Sequence, residues 1–428
     1  MEKILLKNLN NPGGHTLDNY IAGGGYRAVK EALKLGHDHI IQMVKDSGLR
    51  GRGGAGFPTG LKWSFIPKEV YPKYLCCNAD EGEPGTFKDR GIIEYDPHLL
   101  LEGMIIASYA IGAISAYIYI RGEFAFGAKR LWEAIKEAYE KGLLGKNILG
   151  SDFSIDIYVH RGFGAYICGE ETALLESIEG FRGQPRKKPP FPAVWGLYGK
   201  PTVINNVETL SCIPSIILNG PKWFSSMGSE KSPGPKLYCV SGHVNRPGLY
   251  ELPMGTPLRE IVYNHAGGIK GGRNLKAVIP GGVTAPMLIE KELDVPMDFD
   301  SLAKIGSMLG SGGVVVMDDT TCMVKAAYII NRFFSHESCG KCTPCREGTH
   351  WMTEVLKRIE YGEGKPGDVE LLEGVCANIF GRTFCPLGDG AVMALRGALK
   401  NFRDEFAYHV ENKRCAARGG FGAIGVWE

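Results

Sequence analysis

Cys339, Cys342 and Cys345 stand two residues apart in Glu337-Ser338-Cys339-Gly340-Lys341-Cys342-Thr343-Pro344-Cys345-Arg346-Glu347-Gly348-Thr349. Thiolates this close repel one another unless a cation or a cluster neutralises them; three free thiols are the remaining reading. The C-x2-C-x2-C spacing is that of an iron–sulfur run, in which each thiolate takes one iron. A bacterial ferredoxin run would carry its next cysteine at position 349, which is Thr349 here, so the fourth ligand must come from elsewhere. Cys385, in Thr383-Phe384-Cys385-Pro386, is the most economical choice, because a cysteine followed by proline also closes the ferredoxin run. Its competitors are Cys376, mid-helix between Val375 and Ala377, and Cys415, beside Lys413 and Arg414. A zinc site of four cysteines is the plain alternative. Zinc usually takes two C-x2-C pairs, whereas three cysteines plus one distant one suit a cubane better. Radical enzymes that cleave S-adenosylmethionine use a wider first gap.

The 428 residues are too many for one core and imply roughly two to four domains. Twelve cysteines in that length do not make a secreted disulfide scaffold. The N-terminus shows no long apolar run of the signal-peptide kind, and a cytoplasmic location is expected. A formal net charge of only +2 argues against nucleic acid held by bulk charge. Gly103 to Ile120 carries no charge and has nearly the length of a membrane span. Its first half is helical in pattern, Gly112-Ala113 interrupts it, and Tyr117-Ile118-Tyr119-Ile120 is β-type. The expectation is a buried helix running into a buried strand, with no membrane span.

The order of patterns predicts an α/β chain. Residues 1–70 read as an N-terminal helical segment, with helices at Ala28 to Leu35 and His39 to Ser47, followed by a glycine-rich loop. Over residues 71–236 a Rossmann-like parallel-sheet domain is expected. Its strands fall at Tyr74 to Cys77, Ser115 to Ile120 and Ile155 to Val159, and its helices at Pro97 to Ile111, N-capped by Asp96, and Ala125 to Tyr139. In such sheets ligands bind beyond the carboxyl ends of strands. The loops there are Asn78-Ala79-Asp80-Glu81-Gly82-Glu83-Pro84-Gly85 and His160 to Tyr166, and a basic, proline-rich loop runs from Gln184 to Pro192. Residues 237–320 read as a ubiquitin-like α+β module, with strands at Leu237 to Ser241, Gly248 to Leu252, Ala277 to Pro280 and Val314 to Met317 and a helix at Pro257 to Asn264. Residues 321–428 read as a helical bundle with an extended, glycine-rich tail from Ala416. Its helices are Ala326 to Ser335, Glu347 to Tyr361, Val369 to Ile379 and Gly390 to Arg403.

Gly51-Arg52-Gly53-Gly54-Ala55-Gly56 satisfies G-x-G-x-x-G, but it follows a predicted helix and not a strand, so the ordinary dinucleotide reading fails its context test. Exposed backbone N–H groups, with Arg52 and Lys62 nearby, could cradle phosphate or line a planar ring; a surface turn is the plain reading. Phe57, Trp63, Phe65 and Phe191 could be core or could stack on a heteroaromatic base. For Glu81, Glu83, Glu170 and Glu171, a solvated acidic loop is the plain reading.

Together, four blocks in order resemble the NADH-binding flavoprotein subunits of respiratory complex I (the F subunits of NADH-quinone oxidoreductase) over nearly the full length. They are Gly51 to Trp63, Asn78 to Gly85, Gly164-Ala165-Tyr166-Ile167-Cys168-Gly169-Glu170-Glu171-Thr172-Ala173-Leu174, and Glu337 to Thr349 with Cys385; Asn205-Asn206-Val207-Glu208-Thr209 lies between. The resemblance implies FMN, one [4Fe–4S] cluster and NADH as substrate. It places FMN on Gly51, Arg52, Gly53 and Lys62, then Asn78, Asp80 and Glu81. Tyr166, Gly169, Glu170 and Glu171 form the other wall, and Asn205, Asn206 and Thr209 lie near the phosphate. Adenine would sit among Phe57, Phe65 and Phe191, with Lys188 near the pyrophosphate and Glu83 and Glu171 at the nicotinamide half. Cys339, Cys342, Cys345 and Cys385 match the cluster ligands. The implied partners are a thioredoxin-like [2Fe–2S] subunit and a large multi-cluster subunit, in the peripheral arm of a membrane-attached complex that delivers electrons to quinone. The nearest alternative is the diaphorase subunit of an NAD-linked hydrogenase or formate dehydrogenase. An alternative of another class is a zinc-stabilised nucleotide-binding scaffold without turnover.

Overall fold

The buried run Tyr74–Ala79 becomes β1 of a four-stranded sheet in a computed structural model that describes residues 2–418. β2 (Ser115–Ile120) and β4 (Thr202–Asn206) pair with β1 on either side, and β3 (Asp156–Arg161) pairs with β2, giving the order β3-β2-β1-β4. All three pairings are parallel, as expected, and β4 adds a strand that the pattern did not mark. Parallel register aligns Asn78 with Tyr119 and Asn206, and Tyr119 with His160, so the loops after all four strands open on one edge of the sheet.

The described residues fall into two compact units. The first holds residues 2–239, 249–256 and 298–300. Short helices α1 (Leu17–Ala22), α2 (Arg27–Ala32), α3 (His37–Asp46) and α4 (Thr59–Trp63) precede the sheet; α5 (Lys88–Tyr95) and α6 (Pro97–Ile111) follow β1. Helix α6 explains the apolar stretch. It is buried on almost every side, and the N-terminal helices cover part of it. Its glutamate and its histidine are hydrogen-bonded inside the core. Glu102 accepts from Tyr20 Oη (2.5 Å) and the Ala28 N–H (2.9 Å), and His98 Nδ1 meets Tyr26 Oη at 2.9 Å. Among the described residues no helix is long and apolar enough to cross a membrane. Asp96 stands at the N-cap as expected, but its carboxylate holds Asn8 Nδ2 (2.8 Å) and caps no helix N–H. The unit continues with α7 (Ala125–Glu140), α8 (Glu171–Ile178), α9 (Val207–Ser211), α10 (Ile213–Asn219), α11 (Pro221–Ser225) and a two-residue ribbon of β5 (Gly228–Ser229) and β6 (Ser232–Pro233).

The second unit holds residues 240–248, 257–297 and 301–418. Along residues 235–318 a second sheet has the order β8-β7-β10-β9, with β7 at Pro235–Gly242, β8 at Gly248–Pro253, β9 at Leu275–Ile279 and β10 at Gly313–Asp318; residues 235–239 and 249–253 of it belong to the first unit, and all four strands were expected within two residues. The helix expected at Pro257 to Asn264 is a short α12 (Leu258–Glu260) that widens into a π-helical turn at Ile261–His265. After α13 (Phe299–Lys304) come the bundle helices α14 (Met323–Glu337), α15 (Thr343–Glu360), α16 (Asp368–Ile379) and α17 (Pro386–Asn412). Helix α15 begins four residues before its expected start, because Pro344 fits a first helical turn. Helix α17 runs 27 residues, with a break in helical geometry at Phe402. Ala416–Arg418 is a 3-10 turn and not extended; the rest of the expected tail lies outside the described residues.

Candidate functional site

The G-x-G-x-x-G loop lies between α3 and α4, so its context is helix to helix. It closes on itself through Gly51 N–H to Phe57 O at 2.9 Å. Gly54 and Gly56 adopt φ of +133° and +65°, where a side chain is strained. A Cβ on Gly53 would lie 3.2 Å from Asn206 Cβ, so the loop packs directly on the end of β4. One residue departs from the expected cradle. The Arg52 guanidinium is fully buried and donates to Pro233 O (2.7 Å), away from the loop, while its backbone N–H is taken by Thr209 Oγ1 (2.8 Å). Trp63 is core, and its indole N–H holds Asn205 Oδ1 (2.8 Å).

The acidic blocks meet at the same sheet edge. Asn78 Nδ2 donates to Gly169 O (2.8 Å), and Asn78 Oδ1 accepts from the Asp80 N–H (3.0 Å), which ties the first acidic block to the second. A Cβ on Gly82 would run into Arg121 and lie 3.2 Å from Tyr166 Cδ2. Tyr166 Oη donates to Glu83 Oε2 at 2.6 Å and fixes that carboxylate. Glu81 is buried and accepts from the Asp89 and Arg90 N–H groups, at the start of α5. Burial and neighbouring Asp89 push its carboxyl up to about 7.

Glu170 caps α8 by accepting from the Thr172 and Ala173 N–H groups. Its other oxygen takes Lys188 Nζ at 2.9 Å. Glu171 lies between two cations, Lys62 (3.0 Å) and Lys188 (3.1 Å). Burial alone would raise its carboxyl, but the two lysines outweigh it and hold it below the usual range. Lys62 also donates to Ile204 O (2.8 Å). Lys188 is therefore ion-paired to both glutamates. Phe57, Phe65 and Phe191 are about half exposed, and Phe57 and Phe65 stand 6.2 Å apart. They are not core.

Below these loops lies a buried charge network that sequence reasoning missed. Lys88 Nζ touches Asp89 Oδ1 (2.7 Å), Glu208 Oε2 (3.1 Å) and Asn206 Oδ1 (3.1 Å). Lys236 Nζ meets Glu208 Oε2 at 2.8 Å. Asn206 caps α9 and donates to Asp89 Oδ2 (2.6 Å), so the network positions the β4 end directly.

In the second unit Cys339 lies on the α14–α15 loop, where Gly340 turns at φ +76°. Cys342 is the N-cap of α15, Cys345 lies in its first turn, and Cys385 is the N-cap of α17. The Phe384 N–H, next to Cys385, points at Cys342 Sγ (3.4 Å), which brings the fourth cysteine to the triplet. Burial, together with nearby Cys342 and Cys339, pushes the Cys345 thiol up to about 11, so the set needs a positive centre to ionise. Thr349 sits one turn on and donates to Cys345 O (2.7 Å). Cys376 is packed inside α16 with its Sγ 3.6 Å from Met352 Sδ, as expected of a core thiol. Cys415 is buried beside Cys322 and His409.

Narrow glycine contacts, backbone donors and converging polar side chains fit a flavin phosphate and ring, and four converging cysteines fit an iron–sulfur cluster. Likeness to known proteins defines the class first. Residues 44–215 match the Nuo51 FMN-binding domain, 236–316 an SLBB domain, and 325–409 the NADH-ubiquinone oxidoreductase-F iron-sulfur binding region. The second F subunit of NADH-quinone oxidoreductase in Rhizobium meliloti is 64% identical over 97% of this chain and 99% of its own. The corresponding F subunit of Mycobacterium bovis is 52% identical over 96% of this chain and 94% of its own. An NAD+-reducing [NiFe]-hydrogenase in the H2-reduced state superposes with a TM-score of 0.82 at 36% identity, over 96% of this chain and 67% of that one. The chain belongs to the family of NADH-quinone oxidoreductase F subunits.

Proposed function

We propose that this chain is the electron-input subunit of an NADH:quinone oxidoreductase of the complex I type. Bound FMN would take a hydride from NADH as an electron pair and release single electrons to a [4Fe–4S] cluster. The observation that carries this reading is the meeting of the glycine loop, both acidic blocks and the end of β4 at one sheet edge, in a chain whose other unit gathers four cysteines. Gly51 and Gly53 keep the backbone close to the flavin, with Lys62, Asn205, Asn206 and Thr209 around its phosphate. Asn78, Asp80 and Glu81 line one wall, and Tyr166, Gly169 and Glu170 the other. Glu83, fixed by Tyr166, and Glu171, fixed by two lysines, position the nicotinamide half; stacking and orientation supply the rate. Phe57, Phe65 and Phe191 offer exposed rings to adenine, and Lys188 is the cation that a pyrophosphate would share with Glu170 and Glu171.

Electrons leave through a partner, which we assign as a thioredoxin-like [2Fe–2S] subunit, and then through a large multi-cluster subunit, on the cytoplasmic side of a membrane-attached complex. The hydrogenase likeness, at 36% identity against 64% for the Rhizobium meliloti relative, is consistent with the diaphorase alternative but does not favour it. The test is an anaerobic NADH titration of the chain with its small partner, followed by low-temperature EPR and ferricyanide turnover. Flavin bleaching, a reduced-cluster signal and turnover are expected. A colourless protein with one zinc per chain, binding NADH without turnover, would sink the reading. Co-purification with hydrogenase subunits would move it to the diaphorase class.

A further inference from the structure

Cys322, His409 and Cys415 meet inside the helical unit, away from the four cysteines at its other end. All three are buried, and one ligand atom from each lies within 4.8 Å of the others. Cys322 is the N-cap of α14, His409 lies in the last turn of α17, and Cys415 follows that helix. Cys322 Sγ is 3.5 Å from His409 Nε2 and 3.6 Å from Glu360 Oε2, at the last residue of α15. The same Glu360 oxygen is 3.8 Å from His409 Nδ1. A tetrahedral zinc, with bonds of about 2.3 Å to sulfur and 2.0–2.1 Å to nitrogen or oxygen, sets S···N and S···O edges at roughly 3.6 Å. The Cys322–His409 edge matches that length. A thiol hydrogen bond accounts for one edge alone. It does not account for two buried sulfurs and an imidazole lying within 4.8 Å of one another.

We propose that Cys322, His409 and Cys415 bind one zinc ion. Glu360, beside the other ring nitrogen of His409, would orient the imidazole as carboxylates do behind metal-bound histidines. The ion pins the end of α17 to the start of α14. Helix α15 has 18 residues and separates Cys342, at its N-cap, from Glu360 by about 27 Å at 1.5 Å per residue. The two cysteine sets therefore divide the bundle: one end holds the redox centre, the other a redox-silent staple. The region matched to the iron–sulfur family, residues 325–409, stops short of both Cys322 and Cys415.

Metal analysis of the full chain, iron-replete so that zinc cannot occupy the cluster cysteines and dialysed against zinc, tests this. One zinc per chain beside a full iron complement is expected. Cys322→Ser and His409→Ala should each lose nearly all the zinc and keep iron and flavin. If those variants fail to fold, cobalt(II) added to the zinc-depleted parent gives the second reading, as an intense thiolate-to-cobalt absorption band. A zinc-free parent, a Cys322–Cys415 disulfide in its peptide map, no such band with cobalt, or zinc retained by Cys322→Ser would each overturn the proposal.

Discussion

Around the glycine loop the charged side chains are already matched. Glu171 lies between Lys62 and Lys188, Glu83 holds the Tyr166 hydroxyl, and Glu208 sits between Lys88 and Lys236. Around the cysteine triplet the corresponding contacts are weak ones to sulfur: the Phe384 N–H at 3.4 Å from Cys342 and Ser338 Oγ at 3.3 Å from Cys345. The first site is assembled by folding. At the second, folding brings thiols together and leaves the balance of charge to a metal centre, so binding energy there is also folding energy. The two sites should therefore fail differently.

The sharpest break is at the cysteines. Cys345→Ser should abolish the cluster, read as loss of the reduced-state EPR signal and of more than about 90% of bound iron, and lower the melting temperature of the second unit. FMN content should stay near that of the parent. Loss of flavin in step with iron would undo the contrast between the sites. Next in size, Glu208→Ala leaves Lys236 buried with no carboxylate. It should cost about 3–5 kcal/mol by denaturant unfolding of the first unit, with the cluster signal retained until that unit unfolds. A change below about 1 kcal/mol would show that the network does not hold this site in shape.

The smallest effect is a pH slope. Burial raises the Asp96 carboxyl to about 7, against an ordinary value near 4. Between those values the folded chain keeps a proton that the unfolded chain has lost, so stability falls as pH rises through that window, by at most about 1.4 kcal/mol per pH unit, and levels off above about pH 7. Asp96→Asn should remove that part of the slope in melting curves taken at pH 5, 6 and 7.5. An unchanged slope would assign the dependence to other groups, Glu81 first, since burial raises it in the same direction.

Much of this architecture was legible in the chain itself. Pro97 at a first helical position, the charge-free run after it and the β-type Tyr117-Ile118-Tyr119-Ile120 lead to α6 and β2 with correct bounds, because local pattern and burial agree there. Helix α1 was missed because only Leu17 and Tyr20 of its six residues are buried, too few for a period. The π-turn after Glu260 leaves no local sign, since its residues fit an α-helix equally well. Arg52 read as a loop cation because arginine between glycines is usually exposed; only tertiary packing sends it to Pro233 and Met254. The Lys88, Asp89, Glu208 and Lys236 network lay out of sight for the same reason: its members span 148 positions of sequence, and no local rule pairs them.

Cys342 and Cys385 both stand where a helix begins, ahead of the aligned peptide dipoles of α15 and of α17 up to its break at Phe402. A helix start carries partial positive charge worth about 0.3–1 kcal/mol to a neighbouring anion. For a centre that gains one negative charge on reduction, that is an upward shift of roughly 15–45 mV in midpoint potential per helix. With the proposed cluster on these cysteines, the two caps would do more than place sulfur atoms: they would make that stop on the electron path a slightly deeper well and so bias the direction of flow away from the flavin.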